Sequence, residues 1–190
     1  FTIVAPLSFL DHHLRCGNSL IGTMAREAQE RFSSEMPLFG SPFAGLLNAA
    51  KIMRGIGGLS DATFSEVEKS VAMFSEFDEA ARPYKKLLDL AVAHGFGVKH
   101  ADEFLRLYGA EALKLDSGKL AAPYRNAIQE TDRLSQEKRF FHWDLEFPEV
   151  FLDLERATWK QNPGFDAVVG NPPYVRGIRL KEVDAPAWAY

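Results

Sequence analysis

The sequence predicts an α/β fold in which a large helical segment separates two parts of one core. Three observations predict it. A short apolar run, Ala167-Val168-Val169, closes on Gly170 and reads as a buried strand, because parallel strands covered on both faces lose the polar alternation. Residues 14–16 offer a second short strand, ended by a Gly17-Asn18-Ser19 turn. Between them, apolar residues recur at helical spacing. The expected division is core strand and turn over 1–22, helical insertion over 23–139, and core strand and turn over 140–190.

The 190 residues suffice for one ordinary domain or for a piece of a larger one. The chain opens on Phe1 and stops soon after residue 174, so it reads as a piece of a longer protein. Its charged share, 25%, is that of a water-exposed globular surface. The net charge of −4 gives no global basic field, which argues against a whole-surface polyanion binder and leaves a local groove open. One cysteine, Cys16, excludes an internal disulfide and fits a reducing cytoplasm. It is expected to act as a small apolar filler. Neither a secretory leader nor a run long enough to span a membrane is visible.

Each element has its own justification. Gly17 and Gly22 lie close in sequence, which predicts a close backbone approach or a ligand contact. Thr63 with Glu66 three residues on forms a capping box. Phe64, Val67, Val71 and Phe74 then mark a helical face, continued by Phe77, Ala81, Tyr84, Leu88 and Ala91. Pro83 predicts a kink or break inside that pattern. Phe104, Leu107 and Tyr108 mark another face, as do Leu120, Tyr124 and Ile128. The whole reads as a bundle of about four or five helices. Pro148 divides the aromatic stretch "RFFHWDLEFPEVFLD" and argues against one uninterrupted helix. The stretch "ERATWKQNPG" reads as a loop leading to Phe165.

The turn after Gly170 carries the chemistry. Asn171-Pro172-Pro173-Tyr174 follows the apolar run, and ligands of open α/β sheets bind beyond the carboxyl ends of strands. Two prolines stiffen the turn and remove two N–H donors. The Pro172 carbonyl and the Asn171 side-chain carbonyl can then converge on one –NH2 group, which has two donors. Tyr174 offers a flat face for a planar ring. Such a ring with an exocyclic amine is adenine or cytosine. Two acceptors outside the amine plane favour tetrahedral nitrogen and localise its lone pair. That gain falls in the transition state.

"FDAVVGNPPYV" is similar to the catalytic motif of adenine-specific DNA methyltransferases of the amino-methylating group. "PLSFLDHHLRCGNSLIG" and "FHWDLEFPEVF" resemble segments of the large methylases of type IIG restriction–modification enzymes and of related phage-defence methylases. The helical middle resembles the insertion those proteins carry. The resemblance implies a Rossmann-like methyltransferase domain that uses S-adenosyl-L-methionine, acts on double-stranded DNA, and works with a target-recognition region of the same longer chain. By position, it implies that Asn171 and Pro172 bind the amine, that Pro173 shapes the turn, and that Tyr174 stacks on a flipped-out adenine. It assigns Gly17, Asn18 and Ser19 to the cofactor side. Asn18 stands where such enzymes often have an aspartate that meets the cofactor's adenine. The glycine-rich loop and acidic ribose contact of that family are not visible here, which implies that this piece alone is inactive.

Plainer readings stand beside these. Asn18 can bond its own turn. Asp11, His12, His13 and Ser19 match no metal or triad spacing. His142, with Trp143, is expected to pack or cap. Asp144 and Glu146 would share a face of a strand, as a solvated edge or in salt bridges. Arg176, Arg179 and Lys181 can meet phosphate or remain surface charge. Two rival functions remain: a protein glutamine methyltransferase, whose carboxamide substrate is also planar with an –NH2, and a non-catalytic helical module that binds DNA or a partner.

Overall fold

The computed structural model describes residues 14–33, 45–53, 63–108, 113 and 119–170. They form α1 (Ala25–Ser33), α2 (Leu46–Ala49) with a 3₁₀ turn at Ala50–Met53, α3 (Phe64–Gly95), α4 (Ala101–Leu107), α5 (Ala122–Lys138), α6 (Trp143–Glu146) and α7 (Pro148–Phe151). Two short strands follow, β1 (Leu152–Asp153) and β2 (Thr158–Trp159). They pair antiparallel, with Leu152 opposite Trp159. The described residues are mostly helical, and an open parallel sheet is not among them. No described helix is long and apolar enough to cross a membrane.

The 32-residue helix α3 organises the rest. Its start is the expected capping box. Thr63 Oγ1 accepts from the Glu66 N–H at 3.3 Å, and Glu66 Oε2 accepts from the Thr63 N–H at 3.1 Å, so two otherwise orphaned donors are satisfied. The buried stripe runs Val67, Ser70, Phe74, Phe77, Ala81, Tyr84, Leu88 and Ala91, alternating steps of three and four. It differs from the expectation at two positions. Phe64 is 66% exposed and Val71 43% exposed, because the stripe passes through Ser70 instead.

From Leu87 to Ala93 every side chain of α3 is buried. A helix that is buried all round must have neighbours on every side. Here α1, α2 with its 3₁₀ turn, α4 and α5 pack against α3, and Phe140 joins Val92, Ala93 and Leu134 in a second apolar cluster. Pro83 does not break the helix. The ring deletes one helical bond, at a cost of about 3 kcal/mol. The burial of Phe77, Ala81, Tyr84, Leu87 and Leu88 on both sides of it outweighs that, at about 1.5–3 kcal/mol per large side chain.

Phe104, Tyr108 and Tyr124 form a ring triangle, with centroids 4.9, 5.9 and 5.3 Å apart, which fastens α4 to α5. Of the expected α4 face, Leu107 is exposed. On α5, Ala127, Thr131 and Leu134 face inward. Arg133 on the outer face is forked between Glu130 and Glu137. Pro148 does divide the aromatic stretch, separating α6 from α7 at Phe147. The expected loop over 155–164 holds except at Thr158–Trp159, which form β2; its first residues are the turn of the β1–β2 hairpin, which Ala157 passes with φ 52°.

Neither expected core strand forms among the described residues. Residues 14–16 are irregular. Residues 165–170 are irregular too, with Val168 77% and Val169 97% exposed. A strand needs a neighbour to take up its N–H and C=O groups, and among the described residues neither stretch is paired with another strand. Cys16 is also exposed, not an apolar filler.

The register of α3 can be tested directly. Phe77→Ala, at a fully buried position, should lower unfolding free energy by about 3–5 kcal/mol. Val71→Ala should change it by no more than about 0.5 kcal/mol. Urea denaturation of the two variants checks this, and similar losses at both would refute the observed register.

Candidate functional site

The two stretches that flank the helical middle meet along residues 17–25 and 139–146. Asn18 N–H donates to the Arg139 carbonyl at 2.7 Å, and Phe141 N–H to the Ile21 carbonyl at 2.8 Å. A single parallel bridge pairs Asn18 with Phe140. The glycines permit this approach. A Cβ at Gly22 would overlap the Phe141 carbonyl, and one at Gly17 would overlap the Phe141 ring. Close backbone packing thus accounts for Gly22, and the Phe141 ring for Gly17.

The Gly17-Asn18-Ser19 turn lies at the surface. Asn18 Oδ1 accepts from Leu20 N–H at 3.2 Å, and the Asn18 carbonyl accepts from Ile21 N–H at 3.0 Å. This is the self-bonded Asx turn of the plainer reading. A carbonyl oxygen keeps a second lone pair, so the turn remains open to an amine donor.

Below that turn lies a buried polar joint. His142 is fully buried. Its Nε2 lies 3.0 Å from Asp89 Oδ1 on α3, and a carboxylate there requires the ring to donate. Its Nδ1 lies 3.2 Å from the Thr23 nitrogen and 2.9 Å from the Thr23 oxygen. Through Nδ1 the ring also meets the Thr23 main chain. The expected packing role is what the structure shows.

Asp144 differs from its expected solvated edge. It sits on α6, not on a strand, and is 1% exposed. Its Oδ2 accepts from Ala25 N–H at 2.6 Å, at the start of α1, where a negative charge is favoured. Oδ1 is buried without a hydrogen-bond partner. Burial pushes this carboxyl up to about 6, against the opposing pull of the Ala25 N–H and of His142. Glu146 does form salt bridges. Lys85 Nζ on α3 lies 2.5 Å from Glu146 Oε1, and Arg15 Nε donates to the Glu146 carbonyl at 3.2 Å. Arg15 also rests over the Phe74 ring, 5.3 Å from its centre.

Rings cover the outside of this joint. Trp143 packs against Phe141 at 4.9 Å and Phe147 at 6.1 Å. Phe165 stands edge-on to Trp143 at 5.6 Å, Phe147 at 5.5 Å and Phe151 at 5.9 Å. The Trp143 indole N–H donates to the Ser19 carbonyl at 3.2 Å. From Phe165 the chain runs out to Gly170, around which there is open space. Asn171, Pro172, Pro173 and Tyr174 lie outside the described residues, as do Asp11, His12, His13, Arg176, Arg179 and Lys181.

The structure therefore brings the Gly17–Asn18–Ser19 turn to the ring cluster that anchors Phe165. Residue types and spacing gave no sign of the Asp144 cap or of the Trp143 link, beyond the density of aromatics around them. Among the described residues, no group of three His, Cys, Asp or Glu side chains is placed to hold a metal.

The family model of the Eco57I restriction-modification methylase matches residues 60–188. No curated protein and no solved structure matches the chain.

The Asp144 carboxyl has a pH signature. Its folded value, about 6, lies above the ordinary 3.8, so the folded state holds the proton more tightly. The stabilisation is complete below 3.8 and is lost as pH rises to about 6. Asp144→Asn should remove this slope from the unfolding free energy. Asp144→Ala should remove it too and, at pH 5, cost about 1–3 kcal/mol for the stranded Ala25 N–H. Urea titrations at several pH values check both, and an unchanged slope in Asp144→Asn refutes the assignment.

Proposed function

The chain belongs to the Eco57I restriction-modification methylase family, and from that premise we propose that it methylates the exocyclic amine of adenine in double-stranded DNA. The observation that carries this reading is the extent of the match. It runs through residue 188 and so includes Asn171-Pro172-Pro173-Tyr174, the residues whose types suit an aromatic amine.

In this reading the Asn171 side-chain carbonyl and the Pro172 backbone carbonyl accept the two N–H groups of the target amine. Pro173 holds the Pro172 carbonyl in place through its restriction on the preceding residue. Tyr174 stacks on the flipped base, which must leave the duplex because its amine is otherwise paired. The two acceptors favour the tetrahedral nitrogen of the transition state over the planar ground state, and so act on rate. When bound, S-adenosylmethionine would supply a methyl group on a positively charged sulfur; the N–C bond would form as the C–S bond breaks, and the methylated nitrogen would release one proton to solvent.

On the cofactor side, the fit rests on an accessible turn with a fixed backbone. Asn18 offers the remaining lone pair of its side-chain oxygen to an amine donor, with Gly17 and Ser19 beside it. A cytoplasmic setting, a Rossmann-like domain completed by further chain, and a target-recognition region belong to the same reading. Glutamine side chains of proteins would suit the turn equally by chemistry. The restriction–modification family favours DNA.

Incubating the intact enzyme with labelled S-adenosylmethionine and either duplex DNA or protein tests this. Label should enter adenine. Asn171→Ala should lower the rate by about 10²-fold or more with the thermal midpoint unchanged. Tyr174→Ala should weaken the handling of the flipped base by about 1–3 kcal/mol. Label in protein alone, or an active Asn171→Ala enzyme, would overturn the assignment.

A further inference from the structure

The geometry points to Trp143 as a positioning residue that links the cofactor-side turn to the segment leading into Asn171. The inference rests on the proposed methyl transfer and adds to it a residue that touches neither substrate. The indole has one donor and no acceptor, and that donor goes to the Ser19 carbonyl. The same peptide unit presents its other end, the Leu20 N–H, to Asn18 Oδ1. Fixing the Ser19–Leu20 peptide plane therefore fixes the direction of the Asn18 side chain. On its other side the indole meets Phe165 edge-on, at 74° between ring planes, a favoured aromatic arrangement. Phe165 is the last ring before the exposed residues 166–170 that lead to Asn171.

The indole is itself held. His142 and Asp144, its two chain neighbours, are hydrogen-bonded to Thr23, Asp89 and Ala25. Thr23 and Ala25 follow Ser19 by a few residues. The backbone under Trp143 and the backbone beyond Ser19 thus belong to one rigid joint, and the indole spans its surface. A Phe at this position would keep the ring contacts and lose the hydrogen bond. An Ala at 165 would do the reverse, since the bond to Ser19 does not involve Phe165. The two functions of Trp143 can therefore be separated.

The test is steady-state methylation of duplex DNA by the intact enzyme as wild type, Trp143→Phe, Phe165→Ala and Trp143→Ala. Trp143→Phe should raise the KM for S-adenosylmethionine about three- to tenfold, the weight of one hydrogen bond, with kcat within twofold. Phe165→Ala should lower kcat about tenfold and leave that KM unchanged. Trp143→Ala should show both effects. A role in stability alone would lower the thermal midpoint without dividing the two parameters. If the wild type methylates DNA while Trp143→Phe keeps its cofactor KM, or if Trp143→Phe and Phe165→Ala alter the same parameter, the role of Trp143 is overturned. A wild-type enzyme that transfers no methyl group to DNA overturns the underlying reading, and this role with it.

Discussion

The structure depends on the close approach of residues 17–25 to residues 139–146. Two chain segments more than a hundred residues apart meet backbone to backbone at Gly22 and Phe141, where no side chain larger than hydrogen fits. That closeness places Thr23 and Ala25 within reach of His142 and Asp144. It also brings His142 against Asp89, deep in the fully buried part of α3. Closing a loop of this length is entropically costly. The cost is offset by apolar burial around α3 and by a polar joint in which most buried groups are paired.

Much of the helical part was legible because its signals are local. Thr63 and Glu66 announced a helix start by residue type and spacing alone, and the stripe from Phe77 to Ala91 followed from period. Pro148 punctuated the aromatic stretch as expected. Errors arose where tertiary packing decided. Ser70 entered the buried stripe and Val71 left it, a choice that depends on which neighbour α3 meets. Pro83 stayed inside a continuous helix because burial on both sides exceeded the lost bond. Asp144 looked like a surface acid because its partner, the first N–H of α1, lies 119 residues away in sequence.

The site was legible in a different way. Residue types at 171–174 indicate what could bind an amine, yet they say nothing of how such a turn is held. The described structure shows what precedes it in the chain: a glycine-permitted crossing, a buried histidine and a ring cluster around Phe165. The apolar run 167–169 shows the limit of pattern reading. Its composition is that of a covered strand, whereas its observed exposure reflects which hydrogen-bonding partners run alongside. The family match joins these halves, since it begins near the α3 cap and continues past the turn.

The bonding of His142 has a consequence for what that position can become. The ring meets a carboxylate at one nitrogen and a main-chain peptide at the other. Few side chains can offer two polar atoms at opposite ends of a rigid body of this width. Asparagine is too short to reach both, glutamine carries its two functions on one carbon, and an aromatic hydrocarbon supplies neither. Any replacement would strand Asp89, Thr23 or both, so the sequence has little freedom here.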